Sequence, residues 1–349
     1  MSDTEQKKSL RIALDAMGGD FAPASEVQGA VKLFDNVQMQ NMLEIVFVGD
    51  ETKIKNALAK SDTSKIRYSI VHADDVITMD DEPTHALKKK KNSSIYIGTE
   101  LLAQQKVDAF CSAGNTGAML AASTLLLGRI NGVSRPTIGS FFPNPKEHPT
   151  LLLDVGANIE VKAKYLYEFA VMGSIYANYM QGIPQPRVGL MNIGEEESKG
   201  TEVLHQTYQM LKESNLNFIG NVEGRDILNG ECDVVICDGF TGNIILKFAE
   251  SVYGLIKTKF KQYAKKGFLN KLALMMSAPA MKSVFKDFDY QQYGGVPVLG
   301  VNGVVIIGHG KSTPMAIQNM LLRAVEQVKQ EINKKIEIAL NPNVINNKV

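Results

Sequence analysis

Short, almost uninterrupted apolar runs recur along the whole chain, and each is followed by a polar or glycine-containing loop and then by a helical pattern. Short apolar runs bounded by turn residues are typical of buried strands. We therefore predict a strand at each run. The runs are LRIAL (10–14), EIVFV (44–48), VDAFC (107–111), TLLLD (150–154), RVGLMNI (187–193), DVVIC (233–237) and GVVII (303–307).

The order of these elements predicts an α/β fold. Strands that alternate with helices and are apolar along their length belong to parallel sheets that helices cover on both faces. In such sheets, ligands bind beyond the carboxyl ends of the strands. We therefore expect the functional residues in the loops that follow the strands, which include DAMGGD, SAGNTG, VGANIE, DGFTGN and GHGKS.

Residues 244–288 do not follow this alternation of strands and helices. Their apolar side chains recur at i, i+4 spacing, as on one face of an amphipathic helix. Gly267 interrupts the stripe, and the apolar and basic segment FLNKLALMM follows. The pattern predicts a helical hairpin that projects from the sheet. The stripe consists of Ile244, Phe248, Val252, Ile256 and Phe260.

Composition sets only broad limits. The chain has 349 residues, 44% hydrophobic and 21% charged, as is usual for a soluble enzyme. The net charge of +1 gives no global field that would attract nucleic acid. Since no long linker divides the chain, we predict a flexible N-terminus (1–9), one α/β domain (10–340) and a C-terminal tail (341–349).

The sequence also predicts a cytoplasmic protein. The first residues, MSDTEQKKSLRIALD, lack the apolar core of a signal peptide. No apolar stretch approaches the roughly 18 residues of a membrane span, although contact with the inner face of a membrane stays open. The three cysteines form no CxxC pair. Cys111 and Cys237 end predicted strands, so we expect buried thiols in a reducing compartment.

The loop formed by Gly114, Asn115, Thr116 and Gly117 follows a predicted strand and opens the helical segment AMLAASTLLL. Glycine lets the backbone approach a ligand closely, and the N–H groups at a helix start suit an anion. A tight turn without any ligand, with Asn115 or Thr116 as N-cap, explains these residues equally well. The loop GFTGN (239–243) offers the same chemistry.

A lysine run at 88–91 precedes Asn92, Ser93 and Ser94. Such a run is usually a solvated basic face. The neighbouring hydroxyl groups and the upstream segment MDDEP (79–83) leave open the alternative that this segment binds an anion.

Several catalytic motifs are missing from the sequence. HGKS (309–312) resembles the end of a P-loop, but Val305 stands where that motif requires glycine, so a nucleoside triphosphate site is not expected. There is no GxGxxG and no GxSxG. The five histidines show no metal-ligand spacing. Asp15, Asp154 and Asp238 end strands, and for each we favour capping a loop or holding a lysine over binding a metal. The residues thus predict an α/β enzyme that binds an anion, and phosphate is the anion that we favour.

Motifs in order along nearly the whole chain resemble the phosphate acyltransferase PlsX family. They are LDAMGGDFAP (14–23), MDDEPTHALKKKKNSS (79–94), SAGNTGAML (112–120), LLLDVGANIE (151–160), RVGLMNIGEEESKG (187–200), NFIGNVEGRDI (217–227), DVVICDGFTGNIILK (233–247) and DYQQYGGVPVLGVNGVVIIGHGKS (289–312). The departures are small: LMNIG replaces the family's more frequent LLNIG, and Val296 stands before Pro297 where a small residue is common.

The resemblance implies the reaction of a long-chain acyl-[acyl carrier protein] with inorganic phosphate, which yields acyl phosphate as the first step toward phosphatidic acid in bacterial phospholipid synthesis. It also implies a three-layer α/β/α sandwich similar to the isocitrate dehydrogenase and phosphotransacetylase type. It further implies a homodimer that can associate with the membrane surface. The expected partners are acyl carrier protein, an anionic membrane and a membrane glycerol-3-phosphate acyltransferase, without nucleic acid.

This chemistry has modest requirements. Phosphate is already an anionic nucleophile near neutral pH, and a pantetheine thiol, with a pKa of roughly 8.5 by analogy with cysteine, is a good leaving group. We therefore expect direct attack of phosphate on the thioester, without a covalent intermediate, cofactor or metal. The enzyme must hold the dianion, aim it, and supply donors to the developing oxyanion.

Within the resembling motifs we assign the candidate site residues. The predicted catalytic residues are His309, Lys311 and Asn115. The predicted phosphate-binding residues are Gly114, Thr116, Gly117, Lys89, Lys90, Ser93, Ser94, Asn158 and Asn243.

The hairpin is rich in lysine, and residues 257–286 contain no acidic residue. A basic face suits the strongly acidic carrier protein, and an apolar tip surrounded by lysines suits an anionic membrane. A packing surface between the two copies of a dimer is the simpler alternative. The residues that we predict to contact carrier protein or membrane are Lys257, Lys261, Lys265, Lys266, Phe268, Leu269 and Leu272.

Other functions fit part of this pattern. A phosphotransacetylase-like enzyme would keep the anion loops and take coenzyme A thioesters. A dehydrogenase of the isocitrate type would need an acidic metal cluster and a nucleotide site, and the sequence shows no pattern for either. A non-catalytic scaffold that binds acyl carrier protein would not need the glycine-rich loops.

Overall fold

Strands and helices alternate in the computed structural model, which describes residues 9–286, 288 and 290–341. The predicted N-terminal segment 1–9 and tail 341–349 lie outside the described residues, apart from residues 9 and 341. The strands are β1 Leu10–Asp15, β2 Leu43–Gly49, β3 Tyr68–His72, β4 Ala109–Ser112, β5 Thr137–Phe142, β6 Thr150–Leu153, β7 Val188–Met191, β8 Phe218–Val222, β9 Val234–Ile236, β10 Val296–Leu299 and β11 Val304–Ile307.

The α-helices cover most of the segments between these strands. They are α1 Ala24–Leu33, α2 Val37–Met42, α3 Glu51–Leu58, α4 Pro83–Lys89, α5 Ser94–Ala103, α6 Thr116–Ala122, α7 Ala163–Gln181, α8 Glu202–Lys212, α9 Gly224–Asn229, α10 Gly239–Lys265, α11 Phe268–Phe285, α12 Pro314–Lys329 and α13 Ile332–Leu340. Each apolar run that we predicted as a strand is one, so those predictions are confirmed. Strands β3, β5, β8 and β10 were not predicted.

The described chain divides into two compact units. Unit 1 comprises residues 9–139, 175–184 and 293–341, and unit 2 comprises residues 140–174 and the described residues of 185–292. Unit 1 is therefore discontinuous in sequence. The prediction of one domain over residues 10–340 stays a prediction.

The sheet of unit 1 has the strand order β3-β2-β1-β4-β11-β10-β5. Neighbouring strands from β3 to β11 run parallel, and Ile12 pairs with Ala109 across β1 and β4. Strand β10 runs antiparallel to both of its neighbours. The centre of the sheet is fully buried because helices cover both faces, as the unbroken apolar runs predicted. The carboxyl ends of β1, β4 and β11 consequently lie side by side.

In unit 2 the strand order is β6-β9-β7-β8, and each pair is parallel. Arg187 and Asp233 form an ion pair of 2.8 Å at the beginnings of β7 and β9. The predicted α/β class with a largely parallel sheet is confirmed.

The helical hairpin predicted over residues 244–288 corresponds to α10 and α11 in unit 2. Helix α10 begins before the predicted boundary because Asp238 accepts a hydrogen bond from the N–H of Thr241 and so caps the helix. The two helices contact each other through aromatic rings, with the centroids of Phe260 and Phe285 6.0 Å apart. None of the described α11 residues is buried in this chain.

The start of α10 packs tightly against the end of β6. A Cβ atom on Gly242 would overlap the carbonyl oxygen of Asp154, which belongs to the backbone and cannot rotate away. We expect Gly242→Ala to lower the free energy of unfolding by about 2 kcal/mol or more, as for other overpacked cores. Chemical denaturation followed by circular dichroism measures this change.

Gly254 in the same helix is the matched control, because a Cβ atom there would meet nothing within 4 Å. Gly254→Ala should be neutral or stabilise the protein by up to about 1 kcal/mol through helix propensity. Equal losses in the two variants would contradict the packing argument.

Candidate functional site

Three loops at the carboxyl ends of neighbouring strands meet in unit 1. They follow β1 (16–23), β4 (113–115) and β11 (308–313). The N–H of Asp20 donates to the carbonyl oxygen of Gly310 at 2.7 Å, and the N–H of Gly308 donates to that of Ser112 at 2.8 Å. The predicted loops DAMGGD, SAGNTG and GHGKS are thus held together as one surface.

A buried chain of hydrogen bonds joins the first two loops. The Ser112 hydroxyl donates to Asp15 Oδ2 at 2.7 Å and accepts from the N–H of Gly114 at 3.0 Å. The other Asp15 oxygen accepts from the N–H of Met17 at 2.9 Å. Asp15 and Ser112 are 0% exposed. Of the two roles that we favoured for Asp15, capping a loop or holding a lysine, the hydrogen bonds show the first.

Glycine is required where these loops approach each other. A Cβ atom on Gly18 would lie 2.5 Å from Asp15 Oδ2 and 2.7 Å from the backbone nitrogen of Gly114. One on Gly19 would lie 2.5 Å from Glu26 Oε1. The backbone of the first loop therefore lies directly on buried carboxyl groups.

The Gly114–Gly117 turn precedes a helix as predicted, but the Asn115 side chain bonds to protein atoms. Asn115 caps α6 through Oδ1, which accepts from the N–H of Ala118 at 3.0 Å. Its Nδ2 donates to the carbonyl oxygen of Thr78 at 3.0 Å and to that of Asp81 at 3.3 Å. In this structure Asn115 therefore holds the 78–81 segment. Thr116, by contrast, is exposed.

Several side chains of segment 88–94, which we predicted to bind an anion, are buried or bonded to other protein groups. Lys90 Nζ pairs with Asp81 at 2.7 Å and donates to the carbonyl oxygen of Val76. The Lys90 hydrogen bond is the main reason why the pKa of Asp81 is lowered to about 2. Ser93 is the buried N-cap of α5, and Ser94 is buried beside Asp15. The exposed Lys89 faces solvent at the end of α4.

His309 and Lys311 are exposed on the third loop. His309 Nδ1 accepts from the N–H of Lys311 at 3.1 Å, so in the neutral ring the hydrogen is on Nε2. Ser312 is buried and donates to the carbonyl oxygen of His309 at 2.6 Å. These bonds fix the backbone that carries the imidazole and ammonium groups.

Sequence reasoning missed Glu26, in the first turn of α1. The side chain is 0% exposed, and no other described residue donates a hydrogen bond to either carboxyl oxygen. Burial, and secondarily the charge of Asp15, raises the pKa of Glu26 to about 8. Burial also raises the pKa of Asp15. Glu26 stands at helical spacing from Ala30 and Leu33, both of which are buried. This spacing is the sequence signal that indicates a core position for the carboxyl group.

Asn158 and Asn243, the remaining predicted phosphate donors, belong to unit 2. Asp154 is buried and accepts from the backbone N–H groups of Gly156, Ala157 and Asn158 and from Asn158 Nδ2 at 2.6 Å. Asp154 thus caps its loop, as we favoured, and burial raises its pKa. Asn243 is half-buried next to Gly156.

The predicted contact residues of the hairpin are accessible in this chain. Phe268 and Leu269 are 79% and 76% exposed, and Leu272 is 43% exposed. Lys257 lies 4.1 Å from the ring centroid of Tyr253. Lys261, Lys265 and Lys266 are exposed.

One group of the predicted site residues lies in unit 1. It comprises Gly114, Asn115, Thr116, Gly117, Lys89, Lys90, Ser93, Ser94, His309 and Lys311. Their roles in binding and catalysis stay predictions. The exposed members, Thr116, Lys89, His309 and Lys311, offer donors and positive charge to an anion.

A family model described as "Fatty acid synthesis protein" matches residues 10–335. A phosphate acyltransferase of Chlorobaculum parvum is 45% identical over 340 residues, which cover 95% of this chain and 99% of that protein. One of Heliobacterium modesticaldum is 47% identical, with 94% and 97% covered. The chain belongs to this phosphate acyltransferase family. It is therefore an acyltransferase that acts on phosphate.

Solved structures agree with the fold. A phosphotransacetylase from Streptococcus pyogenes matches with a TM-score of 0.61 at 15% identity, covering 93% of this chain and 96% of that one. A branched-chain phosphotransacylase from Enterococcus faecalis matches with a TM-score of 0.57 at 13% identity, covering 91% and 99%. Among the described residues, no helix is both long and apolar enough to cross a membrane.

Substitution of Asn115 tests whether this residue caps α6 and holds the 78–81 segment. We expect Asn115→Ala to lower the free energy of unfolding by about 1 kcal/mol, the usual cost of a lost N-cap. Asn115→Ser keeps a capping oxygen but loses the bonds to the 78–81 carbonyl groups, so stability should fall less. Both variants should raise the KM for phosphate, because both release that segment.

Thermal unfolding and steady-state kinetics measure these changes. A fall in kcat at unchanged KM and unchanged stability would contradict the positioning role. It would show instead that Asn115 acts on the reacting groups.

Proposed function

We propose that this enzyme transfers a long-chain fatty acyl group from acyl carrier protein to inorganic phosphate, as the first step toward phosphatidic acid. We place the phosphate on the surface that the loops after β1, β4 and β11 form in unit 1. The observation that carries this placement is the convergence of these glycine-containing loops at neighbouring strand ends. Ligands of open α/β sheets bind at such strand ends.

The exposed groups of this surface suit a phosphate dianion. Thr116 and Gly117 begin α6, where backbone N–H groups have no partner within the helix. Lys311 adds a flexible positive charge from the third loop. Lys90 is already paired with Asp81, so its contribution is to hold the 78–81 segment while Lys311 meets the anion.

The proposed reaction needs one bond exchange. A phosphate oxygen attacks the thioester carbonyl carbon, the C–S bond breaks, and the proton of the hydrogen phosphate dianion passes to the departing sulfur. Acyl phosphate and the free carrier thiol result. Positioning and electrostatic stabilisation of the oxyanion supply the rate enhancement.

His309 is the residue that we propose to assist this exchange. Because its Nδ1 accepts from the Lys311 N–H, its Nε2 is the ring atom that can donate to the carbonyl oxygen or to the sulfur. The same bond couples the orientation of the imidazole to the backbone of Lys311.

The decisive assay supplies palmitoyl-[acyl carrier protein] and labelled inorganic phosphate and measures labelled acyl phosphate. We expect His309→Ala to lower kcat on the order of 100-fold, as for the loss of a proton donor or oxyanion donor. We expect Lys311→Ala chiefly to raise the KM for phosphate. Lys53→Ala, which removes a lysine from α3 in the same unit, is the control and should behave as wild type.

The identity of the thiol carrier is tested in the same assay. Turnover of acyl-coenzyme A without turnover of the carrier thioester would replace the carrier proposal with a phosphotransacetylase-like activity. Product with wild-type kinetics from both site variants would contradict the proposed location.

We propose that the hairpin contacts acyl carrier protein through its lysines and an anionic membrane through Phe268 and Leu269. Between α10 and α11 lies a groove of about 300 Å³ lined by apolar side chains such as Phe260 and Phe285 and edged by Lys257, Lys261 and Lys282. Each lysine near an anionic surface contributes roughly 1 kcal/mol. We also propose that the enzyme is a homodimer and that it has a membrane glycerol-3-phosphate acyltransferase as a partner.

Charge reversal separates the two contacts. Lys261→Glu with Lys265→Glu should raise the KM for acyl carrier protein, and added salt should raise it in the wild type, because both weaken a charge interaction. Phe268→Ser with Leu269→Ser should reduce sedimentation with anionic vesicles and leave that KM unchanged. Lys53→Glu with Lys55→Glu on α3 is the control. If neither the charge reversal nor added salt changes the KM for acyl carrier protein, electrostatic docking at the hairpin is excluded.

A further inference from the structure

Two buried carboxyl groups lie under the loop that follows β1, and the proposed reaction uses neither directly. Asp15 ends β1, and Glu26 lies in the first turn of α1. Both are 0% exposed. The backbone of Gly18 and Gly19 passes so close to them that a Cβ atom would reach 2.5 Å from a carboxyl oxygen at either position.

The two groups differ in how they are held. Asp15 accepts hydrogen bonds from the Ser112 hydroxyl and the N–H of Met17. Glu26 receives none from any other described residue on either oxygen. A buried carboxylate without donors is much costlier than a buried neutral acid, because charge loses far more solvation than a neutral group does.

Nearby charged side chains do not compensate Glu26. Asp15 is the group that acts on it electrostatically, and its charge has the same sign. Helix α1 packs against α3 and α12. Most of the charged side chains of α3 and α12 form their own pairs, and Lys329 Nζ instead contacts Met42 Sδ at 3.5 Å. These pairs are Lys53–Asp50, Lys55–Glu51 and Arg323–Glu326. Asp20, His309 and Lys311 lie on the loops above and are exposed.

We propose that Glu26 is a positioning residue that must stay uncharged for the Gly18–Gly19 loop above it to accept a phosphate dianion. A carboxylate at Glu26 would place a second negative charge beneath the anion in a region from which water is excluded, where charges repel strongly. The proton on Glu26 and the bound phosphate therefore favour each other. This inference rests on the proposed phosphate surface of unit 1.

The linkage has a definite sign. The pKa of Glu26 is raised to about 8, so the group is neutral at neutral pH and ionises above that value. Phosphate affinity should be full below about pH 8 and fall as the pH rises beyond it, approaching tenfold per pH unit. Asp15 modulates this behaviour through its charge and through its bond to Ser112.

Glu26→Gln replaces the acid with a group of the same shape that has no charge at any pH. We expect the alkaline rise in the KM for inorganic phosphate to be present in the wild type and absent in this variant. Glu100→Gln, at an exposed position on α5, is the control and should keep the wild-type rise. An identical alkaline rise in Glu26→Gln and wild type would overturn the inference.

A second measurement covers the case in which Glu26→Gln does not fold. Calorimetric titration of the wild type with inorganic phosphate, one pH unit above the pKa of Glu26 and in buffers of different ionisation enthalpy, counts protons taken up. We expect uptake of about one proton per phosphate, and no uptake would overturn the inference. If Lys311→Ala leaves the phosphate KM unchanged, the phosphate surface itself is misplaced, which distinguishes that failure from a failure of the Glu26 linkage.

Discussion

The hydrogen-bond chain from Asp15 through Ser112 to Gly114 is the constraint on which the candidate site depends. It ties the loops after β1 and β4 together inside the protein, where water cannot compete for the bonds. The backbone of Gly18 lies against both Asp15 and Gly114, and Thr116, which follows the second loop, is exposed. The site is thus a rigid arrangement of backbone, and its few exposed side chains are presented on a fixed frame.

Positive charge is distributed unevenly over the protein. Lys90 is neutralised by Asp81, and the cation left exposed beside His309 is Lys311. The lysines of residues 257–286, which include no acidic partner, form a second region. The net charge of +1 reveals neither of these two positively charged regions. Local pairing therefore describes the electrostatics of this protein better than its total charge does.

The central strands and the loops that carry the candidate site were predictable from the sequence, because fully buried strands must be apolar along their length. The missed strands lack that signal for identifiable reasons. Strand β3 is partly exposed, β5 and β8 are interrupted by glycine or polar residues, and β10 contains Pro297, a residue rare inside sheets. In the site, residue types pointed to an anion loop at Gly114–Gly117, and the family resemblance supplied His309 as a candidate. They did not predict that Asn115 and Lys90 bond to protein atoms, because those bonds join segments that are distant in the sequence. The burial of Glu26 did have a local signal, its helical spacing from Ala30 and Leu33.

The discontinuity of unit 1 has a consequence for the order in which the enzyme forms during synthesis. Strand β11 and the His309 loop come from the last part of the chain, yet β11 pairs with β4, which the ribosome has made long before. Until β11 emerges, β4 has an open edge on that side, which is a surface where unfinished chains associate wrongly. Unit 2 is complete earlier. The proposed phosphate surface is therefore among the last features to assemble, and a nascent chain released early would carry the hairpin without the loop that bears His309.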